Sequence, residues 1–330
     1  MAERAGVALD RLGFGGAPLG NLFTPIPEPD AVRAVTAAYD AGIRYFDTAP
    51  LYGRGRSERR IGAALRAHPR ASFHISTKVG RLLRPVAERP TDDAYTDIPA
   101  FEVEYDYSED GALRSLDASL ERLGLDRVDT LFIHDIDRWT HGEAQPARFR
   151  EAMTGAYRAL RRLRDQGVVS AVGVGVNEWE VCQQAAEVGD FDAFLLAGRY
   201  TLLEQSALES FLPLCEKRGL FVVIGGPFNS GILATGAVEG ATYNYRPAPP
   251  DVLARVARIE AVCRRHGVPL AAAALQFPLA HPAVRRVIPG ARSADEVRAN
   301  LALLRVPIPG DLWADLRAAG LLHPNAPTPS

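Results

Sequence analysis

Short apolar runs alternate with longer amphipathic segments along almost the whole chain. The runs Arg11–Phe14, Tyr45–Asp47, Phe73–Lys78, Val128–His134, Ala171–Val176, Ala193–Leu196, Phe221–Ile224 and Val287–Ile288 predict strands. They are short, apolar and often flanked by turn residues. Helical spacing predicts helices over Pro29–Ala41, Ser57–Leu65, Gly111–Leu123, Phe149–Gln166, Glu178–Glu187, Leu208–Arg218, Asp251–His266, Leu270–Leu279 and Ser293–Leu304. In the first of these, Val32, Val35 and Tyr39 share one face, and Pro29 and Asp30 suit the first turn. Ser57 is the expected N-cap of the second. Gly167, Gly219 and Gly267 stand where helices are expected to stop.

About eight strand–helix alternations imply parallel strands joined by helical crossovers. Eight such units close into a (β/α)8 TIM barrel, here taken as one unit over residues 1–330 with no visible internal repeat. The competing fold is a doubly wound open sheet, which should carry GxGxxG after an early strand. Both near matches, starting at Gly13 and Gly173, fail at the last glycine, and no GxxxxGK[ST] occurs. Two irregular stretches, Leu82–Asp110 and Gly225–Pro250, follow strands at the end where a barrel places its active site. They are expected to be long loops there, either lids or surface decoration.

Composition narrows the function classes. Of 330 residues, 47% are hydrophobic and 24% charged, an ordinary globular balance. A net charge of −2 gives no electrostatic footprint for nucleic acid. Cys182, Cys215 and Cys263 are odd in number and far apart, which predicts buried thiols in a reducing compartment. No stretch reaches the roughly 18 apolar residues of a membrane helix. Met1 to Asp10 lacks the apolar core of a leader. The expectation is a cytoplasmic protein, monomer or homo-oligomer, acting on a small molecule, with no membrane or nucleic-acid partner. Pro324–Ser330 is expected to be disordered.

In a barrel, side chains at the C-terminal ends of strands converge on one mouth. Asp47, Lys78 and His134 end three predicted strands, and Tyr52 lies in the loop past Asp47. This set suits proton transfer at an alcohol or carbonyl oxygen. A free phenol has a pKa of roughly 10, and a nearby ammonium lowers it. A carboxylate beside the lysine keeps it charged and fixed, and an imidazole orients the substrate oxygen. Each residue also has a plainer role open to it: Asp47 a turn cap, Lys78 a surface charge, His134 a structural histidine.

Beyond this chemistry, Asp47-Thr48-Ala49-Pro50-Leu51-Tyr52-Gly53 closely resembles the signature of the aldo-keto reductase family. It is followed by Ser57-Glu58 and Ile61-Gly62, as in that family, and Ser76-Thr77-Lys78 and Leu131-Phe132-Ile133-His134 are similar to the family's lysine and histidine motifs. Ile288-Pro289-Gly290-Ala291-Arg292-Ser293 resembles its late cofactor motif, so the likeness runs from about Leu12 to Leu304. The resemblance implies a (β/α)8 barrel that moves hydride between NAD(P)H and carbonyl or alcohol groups. It makes Tyr52 the general acid/base, Lys78 its activator, Asp47 the partner of Lys78, and His134 the orienting group, with no metal.

The same resemblance assigns cofactor contacts and shows departures. Asn177 matches the family residue that holds the carboxamide, after Val176 where a serine is usual. Ala197 stands for the usual glutamine and Gly225 for the usual stacking tyrosine; Tyr200 is a candidate replacement, with ordinary packing as the alternative. Gly226 to Leu233, including Pro227, Phe228, Asn229, Ser230 and Gly231, matches the loop over the pyrophosphate, with Gly16 an added contact and Asn300 matching an adenine contact. Gly290 and Glu296 stand where NADP-specific members carry a lysine and an arginine. Glutamate repels a 2′-phosphate and accepts from ribose hydroxyls, which ranks NAD first. Arg292 keeps NADP open.

Asp106-Tyr107-Ser108, His134-Asp135-Ile136-Asp137, Gly198 to Gln205 and Tyr243-Asn244-Tyr245 resemble one branch of the family. That branch holds bacterial aldose 1-dehydrogenases acting on L-fucose, L-galactose or D-arabinose, and related pyridoxal 4-dehydrogenases. Asp135, Asp137 and Asn244 are polar groups for sugar hydroxyls, and Trp139, Tyr243 and Tyr245 are aromatic groups for a sugar face or a pyridine ring. Two other readings compete. His134, Asp135, Asp137 and His141 lie close in sequence, but no metal-site spacing such as HExxH occurs. Some barrels of this family serve as redox-sensing regulatory subunits, which would bind nucleotide with little turnover.

Overall fold

The computed structural model describes residues 9–92 and 94–329. Eight parallel strands form one sheet: β1 Phe14–Gly15, β2 Tyr45–Asp47, β3 His74–Val79, β4 Thr130–His134, β5 Ala171–Val176, β6 Ala193–Ala197, β7 Phe221–Gly225 and β8 Val284–Ile288. Parallel bridges Leu12 to Val287 and Gly15 to Gly290 join the first strand region to the last, so the sheet closes into a (β/α)8 barrel. Tyr45, Phe132, Ala193, Leu195, Val223 and Ile288 fill its interior. The larger core lies outside, between strands and helices, where every second strand residue faces a helix.

The alternation within β5 shows how the mouth is kept open. Val172, Val174 and Val176 belong to the outer core, while Gly173 and Gly175 take the inward positions. A Cβ on Gly175 would sit 3.4 Å from both Lys78 Cε and Phe132 Cβ. The missing side chain leaves room for the lysine stem above Phe132, the residue it pairs with across β3 and β4.

Several elements differ from the pattern-based expectation, each for a local reason. Helix Arg56–Leu65 is capped by Gly55 in a left-handed conformation rather than by Ser57. The Ser57 hydroxyl donates instead to Gly16 O at 2.8 Å and meets Thr48 Oγ1 at 2.9 Å, tying β1 to the loop after β2. The helix expected over 149–166 is two helices, Gln145–Thr154 and Ala156–Asp165. They break at Gly155, where a Cβ would clash with Tyr107 O and where Ala156 N bonds that oxygen at 2.7 Å.

The stretch Leu82–Asp110 contains much of an antiparallel hairpin, Arg81–Pro85 with Phe101–Tyr105. Ser108 then caps helix Glu109–Leu123 by accepting from Gly111 N. The stretch Gly225–Pro250 holds two short helical turns, Asn229–Gly231 and Ile232–Thr235, and a small hairpin, Thr242–Tyr243 with Arg246–Pro247. Pattern analysis also missed helix Gly310–Ala318. The C-terminal tail was expected to be disordered. Residues 324–329 instead dock: Ala326 is buried, and Arg317 donates to Ala326 O at 2.8 Å and Thr328 Oγ1 at 3.1 Å. Ser330 lies outside the described residues. Among the described residues, no helix is long and apolar enough to cross a membrane.

Candidate active site

Asp47 ends β2 and Lys78 lies near the end of β3, both buried at the mouth. Lys78 Nζ donates to Asp47 Oδ2 and to Thr48 O, each at 2.8 Å. Ser76 Oγ donates to the other carboxylate oxygen at 2.8 Å. Two buried opposite charges so close hold each other, because either alone would be severely desolvated. Glu58, fully buried, braces the strand from behind, accepting from Thr77 Oγ1 at 2.8 Å and Arg122 Nε at 2.5 Å.

Tyr52 lies on the turn after β2, with its ring beneath the ammonium: Lys78 Nζ is 4.6 Å from the ring centroid. His134, at the end of β4, meets that ring edge-on, at 6.0 Å between centroids and 87° between planes. The four groups named from the sequence therefore do come together. One electrostatic expectation is not met. Burial, reinforced by Asp47, Tyr95, Tyr245 and Asp135, raises the Tyr52 phenol well above its ordinary pKa. Lys78 Nζ uses two of its three donors on Asp47 and Thr48 O and lies over the Tyr52 ring. Burial also raises Asp47, against the pull of Lys78.

His134 is held neutral. Burial, then Arg81 and Lys78, depress its pKa well below the usual histidine value. Its Nε2 lies 3.3 Å from Asp135 Oδ2, and its Nδ1 is buried without a protein partner. Asp135 pairs with Arg81, the first residue of the hairpin after β3. Burial pushes the Asp135 carboxyl up to about 6, with Arg81 pulling it down. Tyr107 Oη lies 2.8 Å from His134 O, 3.0 Å from Asp135 O and 2.9 Å from His141 Nε2, fixing the turn at the strand end. Arg81 and Tyr95 were not singled out by sequence reasoning, and Tyr107 was named only within the Asp106-Tyr107-Ser108 motif. The signal available for Arg81 was a charge directly after Gly80, at a strand end.

Tyr52, Lys78, Arg81, His134 and Asp135 line a cavity of ≈ 240 Å³ with Leu51, Tyr95, Trp139, Thr140, Asn177 and Tyr245. Trp139 stands at its rim, 49% exposed, with its N–H and that of Arg138 bonded to Glu178. A second cavity, ≈ 330 Å³, adjoins it. It runs between Gly15–Pro18, Gly225–Phe228 with Ser230 and Gly231, and Gly290 with Arg292 and Glu296. Gly226, Asn229, Ser230 and Gly231 all take left-handed conformations, and a Cβ at Gly231 would meet nothing within 4 Å. Such turns aim backbone N–H groups outward and suit anions. Arg292 Nε is buried there without a partner. An elongated, glycine-walled cleft with an unspent guanidinium at one end and the tyrosine–lysine pair at the other fits a nicotinamide dinucleotide.

Not every residue named from the sequence faces these cavities. Tyr200 is fully buried against Phe277 and His281, 5.4 and 5.6 Å between centroids, and lines neither cavity. Its place is core packing, because Gly198 turns the chain away before it, in a left-handed conformation. Tyr243 faces an outer groove beside Arg138, Glu178 and Arg199, with its hydroxyl bonded to Glu204. Asn229 lies behind the cleft wall, bonded to Thr201 Oγ1 at 2.6 Å and Gly198 O at 3.0 Å. Asn300 donates to Gly290 O at 3.3 Å and so supports the wall. Glu296 lines the cleft, yet one oxygen accepts from Arg292 N at 2.7 Å. Asp137 is spent on Thr140 N and Asn177 N, and His141 on Tyr107. Among the described residues, no three His, Cys, Asp or Glu side chains are grouped to hold a metal.

Comparisons with known proteins agree with this geometry. The model of the "Aldo/keto reductase family" matches residues 11–320. A pyridoxal 4-dehydrogenase of Microbacterium luteolum is 43% identical, over 97% of this chain and 96% of its own. A D-threo-aldose 1-dehydrogenase of a Pseudomonas species is 41% identical, over 99% of this chain and 98% of its own. An aldo-keto reductase of Bacillus halodurans, solved in its holo form, superposes with a TM-score of 0.72 at 26% identity, over 95% of this chain and 92% of that one. The chain therefore belongs to the aldo/keto reductase family and is a nicotinamide-dependent oxidoreductase.

Proposed function

We propose that the protein is an aldose 1-dehydrogenase. It oxidises the anomeric carbon of a pyranose, of the L-fucose, L-galactose or D-arabinose kind, to a lactone. The observation that carries this reading is the meeting of Tyr52, Lys78, Asp47 and His134 at the junction of the two cavities. The 41% identity to a D-threo-aldose 1-dehydrogenase supports it. A nicotinamide dinucleotide held by Gly15–Pro18, Gly225–Phe228, Ser230 and Gly231 would supply the hydride acceptor.

The chain's own residues handle the proton. The anomeric hydroxyl lies between Tyr52 and His134, and its proton passes to the Tyr52 oxygen as the carbonyl of the lactone forms. His134, neutral, orients that oxygen by a hydrogen bond. Lys78, fixed by Asp47, stabilises the negative charge on the phenolate that must form first. Because burial holds Tyr52 as a phenol, the reductive direction needs no prior step, while the oxidative direction speeds up as pH rises. Asp135 and Arg81, with Asn177, present acceptors and donors to the ring hydroxyls, and Trp139 packs against the sugar face.

NAD is the proposed cofactor, on the Glu296 carboxylate at the cleft. The unpartnered Arg292 Nε in the same cleft favours NADP as the second reading, and kcat/KM with each dinucleotide decides between them. Pyridoxal is the second substrate reading, favoured by the 43% identical relative and by the aromatic wall of Tyr95, Trp139 and Tyr245. Its hydroxymethyl group closes on the aldehyde to a cyclic hemiacetal, so both substrates present the same reacting unit. The test is incubation with NAD+ and each sugar or pyridoxal separately, with mass detection of product. Lactone from a sugar supports the proposal; product from pyridoxal alone replaces it with the second reading; no product from any overturns both substrate assignments.

A further inference from the structure

The two cavities share four lining residues: Tyr52, Leu195, Ala197 and Tyr245. Hydride transfer requires the two reacting carbons about 3–3.5 Å apart, so the reactants must meet at this junction. Leu195 and Ala197 form an aliphatic floor, extended by Gly225, where a Cβ would reach Leu195 Cδ2 at 3.3 Å and Ala197 Cβ at 3.5 Å. Of the four shared lining residues, Tyr52 and Tyr245 are the ones that carry rings.

Tyr245 comes from above, on the tip of the hairpin Thr242–Tyr243 with Arg246–Pro247. Asn244 and Tyr245 are the two tip residues, and both are left-handed, with φ of 50° and 62°. Asn and Gly are the residues that suit such a two-residue turn. A tyrosine there is strained by about 1 kcal/mol relative to glycine, and strain of this kind gathers at functional sites. The stem is anchored on both sides. Arg199 Nη1 donates to Asn244 Oδ1 at 3.0 Å, Thr242 Oγ1 donates to Ser230 O at 2.6 Å, and Tyr245 N donates to Ser230 Oγ at 3.0 Å. Ser230 is itself part of the cleft wall. Tyr245 as a residue is 43% exposed, and its ring meets Phe23, from the opposite rim, at 6.4 Å between centroids. An anchored arm thus carries the ring to the junction, its outer side open and its phenol end buried toward Asp135, Arg199 and Asn177.

We propose that Tyr245 is the residue that aligns the two reactants: its ring walls the outer side of the junction and packs on the nicotinamide end of the bound cofactor. This rests on the nicotinamide-dependent reading of the site. Tyr245→Gly removes the ring while giving the turn the residue its backbone prefers and keeping the N–H to Ser230. The experiment is direct titration of wild type, Tyr245→Gly and Tyr245→Phe with NADH, with the preferred dinucleotide if NADH is not it, and with ADP-ribose, which lacks the nicotinamide. Melting temperature and the kcat and KM of each protein accompany it. For Tyr245→Gly the dinucleotide Kd rises about 3- to 10-fold, the range of an aromatic packing contact. ADP-ribose binding stays unchanged, the melting temperature does not fall, and kcat drops at saturating cofactor. Tyr245→Phe, which keeps the ring, restores the dinucleotide Kd lost in Tyr245→Gly. Equal weakening of dinucleotide and ADP-ribose would make Tyr245 a support of the cleft and overturn the proposal; so would unchanged dinucleotide binding. A wild-type protein that binds no dinucleotide at all would instead sink the cofactor reading on which the proposal rests.

Discussion

The two halves of the barrel mouth are built from opposite materials. Around the ends of β2, β3 and β4, Asp47, Lys78, His134, Asp135 and Arg81 are crowded together, nearly all buried and held by side-chain partners. Around β1, β7 and β8 the wall is largely glycine, proline and backbone, with Arg292 and Glu296 as its charged lining residues. Moving a proton requires groups whose charge and position are fixed before substrate arrives. Holding a long nucleotide requires room and outward-facing N–H groups. Changes on the first half should therefore alter chemistry, and changes on the second should alter binding.

The strongest attempt to break that division is Tyr52→Phe. Turnover should fall on the order of 10²- to 10⁴-fold, with the dinucleotide Kd unchanged by direct titration; a loss of binding instead would blur the two halves. Lys78→Met comes next. It leaves Asp47 buried and unpaired, which costs about 3–5 kcal/mol of stability. The expected result is a large drop in melting temperature together with loss of activity, measured by thermal denaturation and initial rates.

The pH profile sharpens the comparison further. With Tyr52 held protonated, the oxidation rate should climb steadily from neutral to alkaline pH and the reduction rate should not. Asp135 ionises near 6, so below that value it loses its charge pairing with Arg81, and the sugar KM should rise as pH falls through about 6. A flat KM between pH 5 and 8 would remove Asp135 from substrate binding. Trp139→Ala should raise the sugar KM several-fold, with kcat nearly unchanged and stability within about 0.5 kcal/mol, as for other exposed sites. The smallest effect belongs to Tyr200→Phe. The Tyr200 hydroxyl is buried without a partner, so removing it should leave activity intact and stability equal or slightly higher.

The charged half was legible in the sequence because its residues end strands. Short apolar runs flanked by turn residues place Asp47, Lys78 and His134 at one rim, and β2 begins and ends where the pattern put it. Arg81 was hidden because its place is set by a hairpin whose pairing, Arg81 with Tyr105, spans a polar, proline-containing stretch with no period to follow. The glycine half was legible as open backbone but not in its details. Tyr243 and Tyr245 looked equivalent as aromatic groups for the substrate, and Tyr200 was the candidate for the missing stacking ring. Only the left-handed turns at Gly198 and at Asn244-Tyr245 separate them, sending one ring into the core, one to an outer groove and one over the junction. The break at Gly155 comes from a close approach of the Tyr107 backbone, which helical periodicity does not register.

The central claim is that hydride leaves the anomeric carbon of a sugar at the junction beside Tyr52. The most direct test is a single turnover of the wild-type enzyme with NAD+ and L-fucose, L-galactose or D-arabinose deuterated at carbon 1, with mass analysis of the reduced cofactor and the lactone. The account predicts that the deuterium appears in the reduced nicotinamide, that the sugar product is the lactone, and that the Tyr52→Phe variant shows neither. Reduced cofactor without deuterium, or deuterium retained in the oxidised sugar, would contradict it.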